Sequence, residues 1–390
     1  DVLSSIGDVT LLEPEHLSNR DIQTIDDALI DQAAELLGKA ENPVICAGGG
    51  ALTSEAWEEI QELSKILNAP VLMTSNGRGI IDERLAYGVS GRFATNKLVP
   101  EADVIFAVGT RFAMASNMGL GGGVNVQGKL IQCDVDSDEI GRNYPAAIGL
   151  QTDTKLAVAA LCNALPKYNT IRDSRETELT NLKAAQTEAM NVMNWQAAMS
   201  QAIRKAIPDD GIVVSESTQV GYFIQGGGFP VYNPRTMITS GYQGTLGYGY
   251  PTALGVQVGN PDKVVVSVNG DGGFMYNVQE LSTQAEFEIP LITLVFADGL
   301  FGNVKRIQEE KYNGHGMSTK LNNPDFAALA ELFGVAGYRA NTAEELFSTL
   351  TTAIENRKPA LIEVTQPPTP ELSSLMVMKQ EPPRPIVNIA

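Results

Sequence analysis

A chain of 390 residues, 43% of them hydrophobic, is too long for one hydrophobic core and suits two α/β domains. Its net charge of −18 and pI near 4.6 argue against nucleic acid as a partner, and no apolar stretch reaches membrane-spanning length. Cys46, Cys133 and Cys162 lack metal-ligand spacing and read as buried free thiols of a cytoplasmic protein.

In chain order, residues 1–25 read as a linker and residues 26–165 as a first α/β domain. Pro43–Ala47 is a short apolar strand entering Gly48-Gly49-Gly50. A helix follows with Ala56, Ile60, Leu63 and Leu67 on one face, then a strand at Pro70–Thr74. Further strands are predicted at Ala102–Gly109 and Lys129–Asp134. Strands alternating with helices imply a parallel sheet covered on both faces. The three glycines alone are a weak nucleotide signal, since they do not complete a dinucleotide fingerprint. Residues 166–195 are polar, without a strong apolar face, and read as a helical linker. Residues 367–390, rich in proline, read as an extended tail.

Residues 196–366 form the second predicted domain. Gly211–Val214 is a strand running into Ser215-Glu216-Ser217-Thr218-Gln219. Val264–Val268 is rich in β-branched residues and stops at Asn269-Gly270-Asp271-Gly272-Gly273. A helical pattern with Met275, Val278, Leu281 and Ala285 on one face comes next. Pro290–Phe296 is then a second buried strand, closed by Asp298-Gly299. This is a βαβ unit with a right-handed crossover, and ligands of open α/β sheets sit at the carboxyl ends of such strands. Asp271 and Asp298 both belong there. Two carboxylates facing one crevice suit Mg²⁺, which takes one or two carboxylates and fills its remaining positions with phosphate oxygens and water. A lone Gly-Asp-Gly-Gly is as readily an ordinary turn. A second Asp, 27 residues on and after the next strand, favours the metal.

Gly270-Asp271-Gly272 followed by Asp298 resembles the thiamine diphosphate and Mg²⁺ signature of the acetolactate synthase (acetohydroxyacid synthase) large-subunit family and its oxidase and decarboxylase cousins. The resemblance implies two doubly wound parallel-sheet domains, a central Rossmann-like one and a thiamine-diphosphate-binding one. It also implies metal ligation by the side chains of Asp271 and Asp298 and by the carbonyl of Leu300. Asp298 departs from the usual Asn, keeping an oxygen donor but adding charge. Ser240–Pro251 resembles the segment that holds the aminopyrimidine ring: the Gly244 carbonyl would accept from its amino group, and Leu246 would wedge the cofactor into its bent shape. Ser215–Gln219 resembles the first diphosphate loop, with amides of Thr218 and Gln219 as donors. Gly270, Gly272, Gly273, Phe301 and Gly302 complete the implied cofactor contacts. Gly109–Phe112, Asp134–Asn143 and Gln151–Lys155 resemble the central domain. FAD is bound by some relatives and not by others, and Ala113–Ser116 departs from the flavin-retaining synthases.

The implied activity is decarboxylation and carboligation of 2-ketoacids, as in branched-chain amino acid biosynthesis. A 2-ketoacid decarboxylase of the benzoylformate or pyruvate type and a non-catalytic cofactor-binding fragment or subunit are the alternatives. Asn303 and Ile307 stand where Met and Trp are typical, Lys305 and Arg306 could attract an anionic substrate, and His315 reads as a surface residue. No segment resembles the family's pyrimidine-binding domain, whose glutamate promotes the cofactor's own base; Glu216 reads as a poor substitute. The chain is therefore expected to be silent alone. It would act as a homodimer or homotetramer, or with a partner chain supplying that domain.

Overall fold

The computed structural model describes residues 7, 8, 10, 24–112, 125–241, 243–312 and 314–367. The run Ala113–Ser116, His16 and nearly all of the predicted 1–25 linker and 367–390 tail lie outside these residues.

The fold is α/β, with two six-stranded, all-parallel sheets. In the first, β1 (Pro43–Ala47), β2 (Val71–Met73), β3 (Gly88–Ser90), β4 (Val104–Val108), β5 (Lys129–Asp134) and β6 (Ile148–Gln151) lie in the order β3-β2-β1-β4-β5-β6. Helices α1 (Asp27–Gly38), α2 (Trp57–Leu67), α3 (Gly91–Glu101) and α4 (Thr154–Ala164) accompany it. Both faces are buried, and strand alternation divides them. Ile45 and Ala47 pack into one apolar cluster, Val44 and Cys46 into the other. Helix α2 buries Ile60, Leu63 and Leu67, the stripe its spacing predicts. The thiols are free, and burial pushes Cys46 and Cys133 up to about 12.

Helix α5 (Glu176–Met190), within the stretch read as a polar linker, carries an apolar stripe after all. Its Leu179 and Leu182 join the second cluster of the first sheet, and its Lys183 donates to the carbonyls of Glu83 and Leu85 at 2.7 and 2.6 Å. Two leucines three apart suffice for docking, and the surrounding charges hid them.

In the second sheet, α6 (Asn194–Ala206) precedes β7 (Ile212–Ser215), α7 (Gln219–Phe223), β8 (Met237–Thr239), α8 (Gly249–Gly259) and β9 (Val265–Gly270). Then come α9 (Asp271–Phe274), α10 (Leu281–Glu286), β10 (Ile292–Ala297), α11 (Gly302–Lys311), α12 (Phe326–Phe333), β11 (Ala336–Ala340), α13 (Ala343–Asn356) and β12 (Ala360–Thr365). The strand order is β11-β12-β10-β9-β7-β8. The single helix expected over Met275–Ala285 is broken: α9 stops at Phe274, a 3₁₀ turn spans Val278–Glu280, and α10 starts at Leu281. Met275 is exposed as a result, while Leu281 stays buried.

A buried ion pair joins the two domains. Arg78, 1% exposed, crosses from the first domain and donates to the carbonyls of Ile224 (2.7 Å) and Phe229 in the second. Its guanidinium is gripped in fork geometry by Glu83, at 2.9 and 2.6 Å, and Glu83 also accepts from Val231 N at 2.9 Å. Nearby, Arg84 lies 4.1 Å over the Tyr232 ring and pairs with Asp209 at 2.7 Å. Replacing Arg78 with Met strands the Glu83 carboxylate and two carbonyls in a buried interface. The expected loss is about 3–5 kcal/mol of unfolding free energy, read from urea denaturation, whereas Arg84→Met at the exposed rim should cost far less.

Candidate cofactor and metal site

Open parallel sheets bind ligands where the strand order reverses. The two sheets differ at that point. In the first sheet it lies between β1 and β4, and there Gly50 N donates to Gly109 O and Gly48 N to Val108 O, both at 3.0 Å. A Cβ on Gly48 would stand 2.3 Å from Gly109 O, so these glycines serve the close approach of two backbones. At the end of β5, Asp134 is pushed up, first by its burial and then by Glu139 and Asp136. At that crossing the amides of Gly48 and Gly50 are used by the chain's own carbonyls.

In the second sheet the reversal lies between β7 and β9, and there the chemistry gathers. Parallel pairing puts Gly270 opposite Phe296, so Asp271 and Asp298 emerge side by side from β9 and β10. Asp271 is 3% exposed. Its Oδ1 accepts from Gly272 N and its Oδ2 from Gly299 N, each at 2.8 Å, and Oδ2 also accepts from Asn323 Nδ2 at 2.6 Å. Asp298 Oδ1 accepts from Leu300 N at 2.9 Å and its Oδ2 from Gln366 Nε2 at 2.8 Å. Burial, and secondarily the Asp271 charge, pushes the Asp298 carboxyl up to about 6. Two acids held together against their repulsion are a place for a cation. Among the described residues no group of three or more His, Cys, Asp or Glu could hold a metal ion, so an ion here would rest on two carboxylates and other oxygens. That donor set fits Mg²⁺.

Of the remaining predicted site residues, Phe301 and Gly302 come close to this pair. Leu300 bridges to Lys320 through the amides of Phe301 and Leu321, which use the carbonyls of Thr319 and Gly299 and not that of Leu300. The Phe301 ring lies against Gly272, where a Cβ would meet it at 2.5 Å. Gly302 opens α11, and a Cβ on it would lie 3.5 Å from Asp298 Oδ2. Thr218 caps α7 and Gln219 is its first residue; the Thr218 amide itself donates to Glu216 O at 2.9 Å. Gly244 is exposed with φ +62, and Leu246 is half-buried. His315 is exposed, and Lys305 pairs along α11 with Glu309.

Glu216 has a part that the sequence did not reveal. It is fully buried, and its Oε1 and Oε2 accept from Gly247 N (2.6 Å) and Gly249 N (3.1 Å). A Cβ on Gly273 would fall 1.9 Å from Oε1, so that turn must be glycine for the carboxyl to fit. Glu216 thus ties the end of β7 to the Gly244–Tyr250 segment, against the Asp271–Gly273 turn. Burial pushes its carboxyl up, and the two amides pull it back. Asn323 and Gln366 were missed as well, for neither carries a local motif.

Two family models match this chain: "Thiamine pyrophosphate enzyme, central domain" over residues 30–161, and "Thiamine pyrophosphate enzyme, C-terminal TPP binding domain" over residues 220–364. The chain belongs to the thiamine pyrophosphate enzyme family. It is similar to the probable acetolactate synthase large subunits of Methanococcus aeolicus (32% identical over 371 residues, 88% of this chain and 61% of that protein) and Methanocaldococcus jannaschii (32% over 364 residues, 88% and 60%). It also resembles the acetolactate synthase isozyme 3 large subunit of Escherichia coli K12 (29% over 385 residues, 94% and 67%). The chain therefore spans about three-fifths of the length of the first two relatives.

The raised Asp298 carboxyl makes a signed prediction. A folded-state value of about 6 against an ordinary 3.8 means that ionisation disfavours the metal-free fold. The penalty is absent below about pH 4, grows up to about pH 6 and is complete above it. Asp298→Asn should therefore raise the melting temperature of the metal-free protein at neutral pH, and the gain should vanish near pH 4. An equal gain at both values would show that ionising Asp298 carries no penalty in the fold.

Proposed function

We propose that this chain is the cofactor- and metal-binding part of a thiamine-diphosphate- and Mg²⁺-dependent enzyme that decarboxylates a 2-ketoacid and joins the product to a second carbonyl, as acetolactate synthases do. The observation that carries this reading is the pair Asp271 and Asp298, at the ends of neighbouring strands β9 and β10 beside the reversal point of the second sheet. When bound, thiamine diphosphate supplies a carbon nucleophile and an electron sink for the departure of CO₂. Asp271, Asp298 and the Leu300 carbonyl would hold the ion, and the helix-start amide of Gln219 would face phosphate. Glu216 fixes Gly247 and Gly249, which follow closely on Gly244 and Leu246, the residues that would hold the aminopyrimidine. FAD is not part of this reading.

Because Glu216 is engaged by two backbone amides, the glutamate that would promote proton transfer is expected from outside these 390 residues, in cis or from a partner subunit. The relatives' "large subunit" names support an assembly of several chains, as a homodimer, a homotetramer or a complex with a second subunit. A cytoplasmic location is part of the proposal.

Calorimetric titration with thiamine diphosphate, with and without EDTA, tests the metal. Asp271→Ala is expected to weaken cofactor binding by about 100-fold or more, the scale of one lost charge contact in a buried site. Equal affinity with and without EDTA would sink the assignment. For activity, CO₂ release from pyruvate is expected only once a glutamate-bearing domain is fused or added. Acetolactate as product marks a synthase and free aldehyde a decarboxylase. Turnover by the 390 residues alone would overturn the need for a second glutamate.

A further inference from the structure

Each of the two carboxylates is met by one side-chain amide from a remote part of the chain. Asn323 Nδ2 reaches Asp271 Oδ2 at 2.6 Å, and Gln366 Nε2 reaches Asp298 Oδ2 at 2.8 Å. The second contact follows from strand register. β12 pairs with β10 so that Thr365 opposes Ala297, and Gln366 N then donates to Ala297 O at 3.0 Å. This sets Gln366, 5% exposed, directly beside Asp298.

The orientation of that amide is chemically forced. An ionised carboxylate can only accept, so Gln366 must offer its NH₂; turned end for end, it would set oxygen against oxygen. Its Oε1 is left buried without a partner. A glutamine kept for packing alone would not be expected to leave an acceptor unsatisfied in order to face one carboxylate oxygen. Among the described residues, the donors to the Asp298 carboxylate are the neutral Leu300 N and Gln366 Nε2.

We propose that Gln366 is a positioning residue of the metal centre: its amide holds Asp298 in the ligand orientation and supports the second negative charge beside Asp271, as Asn323 does for Asp271. The proposal rests on the metal reading above. It assigns the residue that follows β12 to the metal centre.

The test measures the Mg²⁺ concentration that half-saturates thiamine diphosphate binding, by calorimetry, alongside the melting temperature of the metal-free protein. Gln366→Met keeps the volume and removes the donor. It is expected to raise the Mg²⁺ midpoint 10- to 100-fold, the usual effect of deleting a group that orients a metal ligand. In an Asp298→Asn background, where there is no charge to support, the same change should shift it about twofold or less. Gln366→Glu guards against a Met variant that folds poorly. It should abolish Mg²⁺-dependent binding in the parent, and Asp298→Asn should restore it, since the exchanged pair again sets an amide against a carboxylate. Equal shifts in both backgrounds, or no shift in the parent, would overturn the proposal, as would failure of the exchanged pair to recover. A parent that binds the cofactor equally with and without Mg²⁺ overturns the metal reading itself; a parent that needs Mg²⁺ but ignores Gln366→Met overturns only this inference.

Discussion

Two carboxylates held side by side at the ends of neighbouring parallel strands are the constraint on which the second domain is arranged. Each would rather face water, and neither can move without breaking the β9–β10 register. The chain answers with neutral donors: the amides of Gly272, Gly299 and Leu300, and the side chains of Asn323 and Gln366. These satisfy hydrogen bonds without neutralising charge. Such a site keeps its affinity for a cation. Had lysine or arginine filled these places, the acids would be content and the ion superfluous.

The same economy of neutral donors governs Glu216. A fully buried carboxyl normally calls for a partner cation, yet here two backbone amides supply the bonds. The consequence is geometric. Three glycines, Gly247, Gly249 and Gly273, lie within reach of one carboxyl, and a side chain at Gly249 or Gly273 would occupy the volume the carboxyl needs. Glycines that look in sequence like a flexible run are here the walls of a socket. Gly244, by contrast, has open space around it and φ +62, so its glycine answers a backbone conformation and not a neighbour.

Legibility followed the range of the interactions. Strands β1, β9 and β10, the α2 stripe and the pair Asp271 and Asp298 could be read because apolar runs, helical spacing and glycine turns are local signals. The helix expected over Met275–Ala285 broke where its apolar spacing continued but backbone hydrogen bonding did not, since Met275 gains no burial there. The docking of α5 through Leu179 and Leu182 was masked by the charges around them. Asn323 and Gln366 had no local signal. Their partners stand 52 and 68 residues away and are chosen by strand register and loop closure.

The first domain enters this arrangement mechanically. Arg78 donates to the carbonyls of Ile224 and Phe229, which bound the kinked segment that follows α7. Helix α7 starts at Gln219, directly after the Thr218 cap. The domain contact thus grips the far end of the same short stretch whose near end faces the crevice. Five residues of helix cannot hold their own orientation, because a helix that short is unstable in isolation. Its direction has to be imposed from both ends: by Glu216 N on Val268 O at the sheet, and by Arg78 from the neighbouring domain. Since Glu83 fixes the guanidinium at two points, the grip is directional and would not survive exchange for a lysine, whose ammonium cannot make the same fork. The glycines at the first sheet's reversal point let two backbones of that domain approach closely, which helps it serve as an anchor.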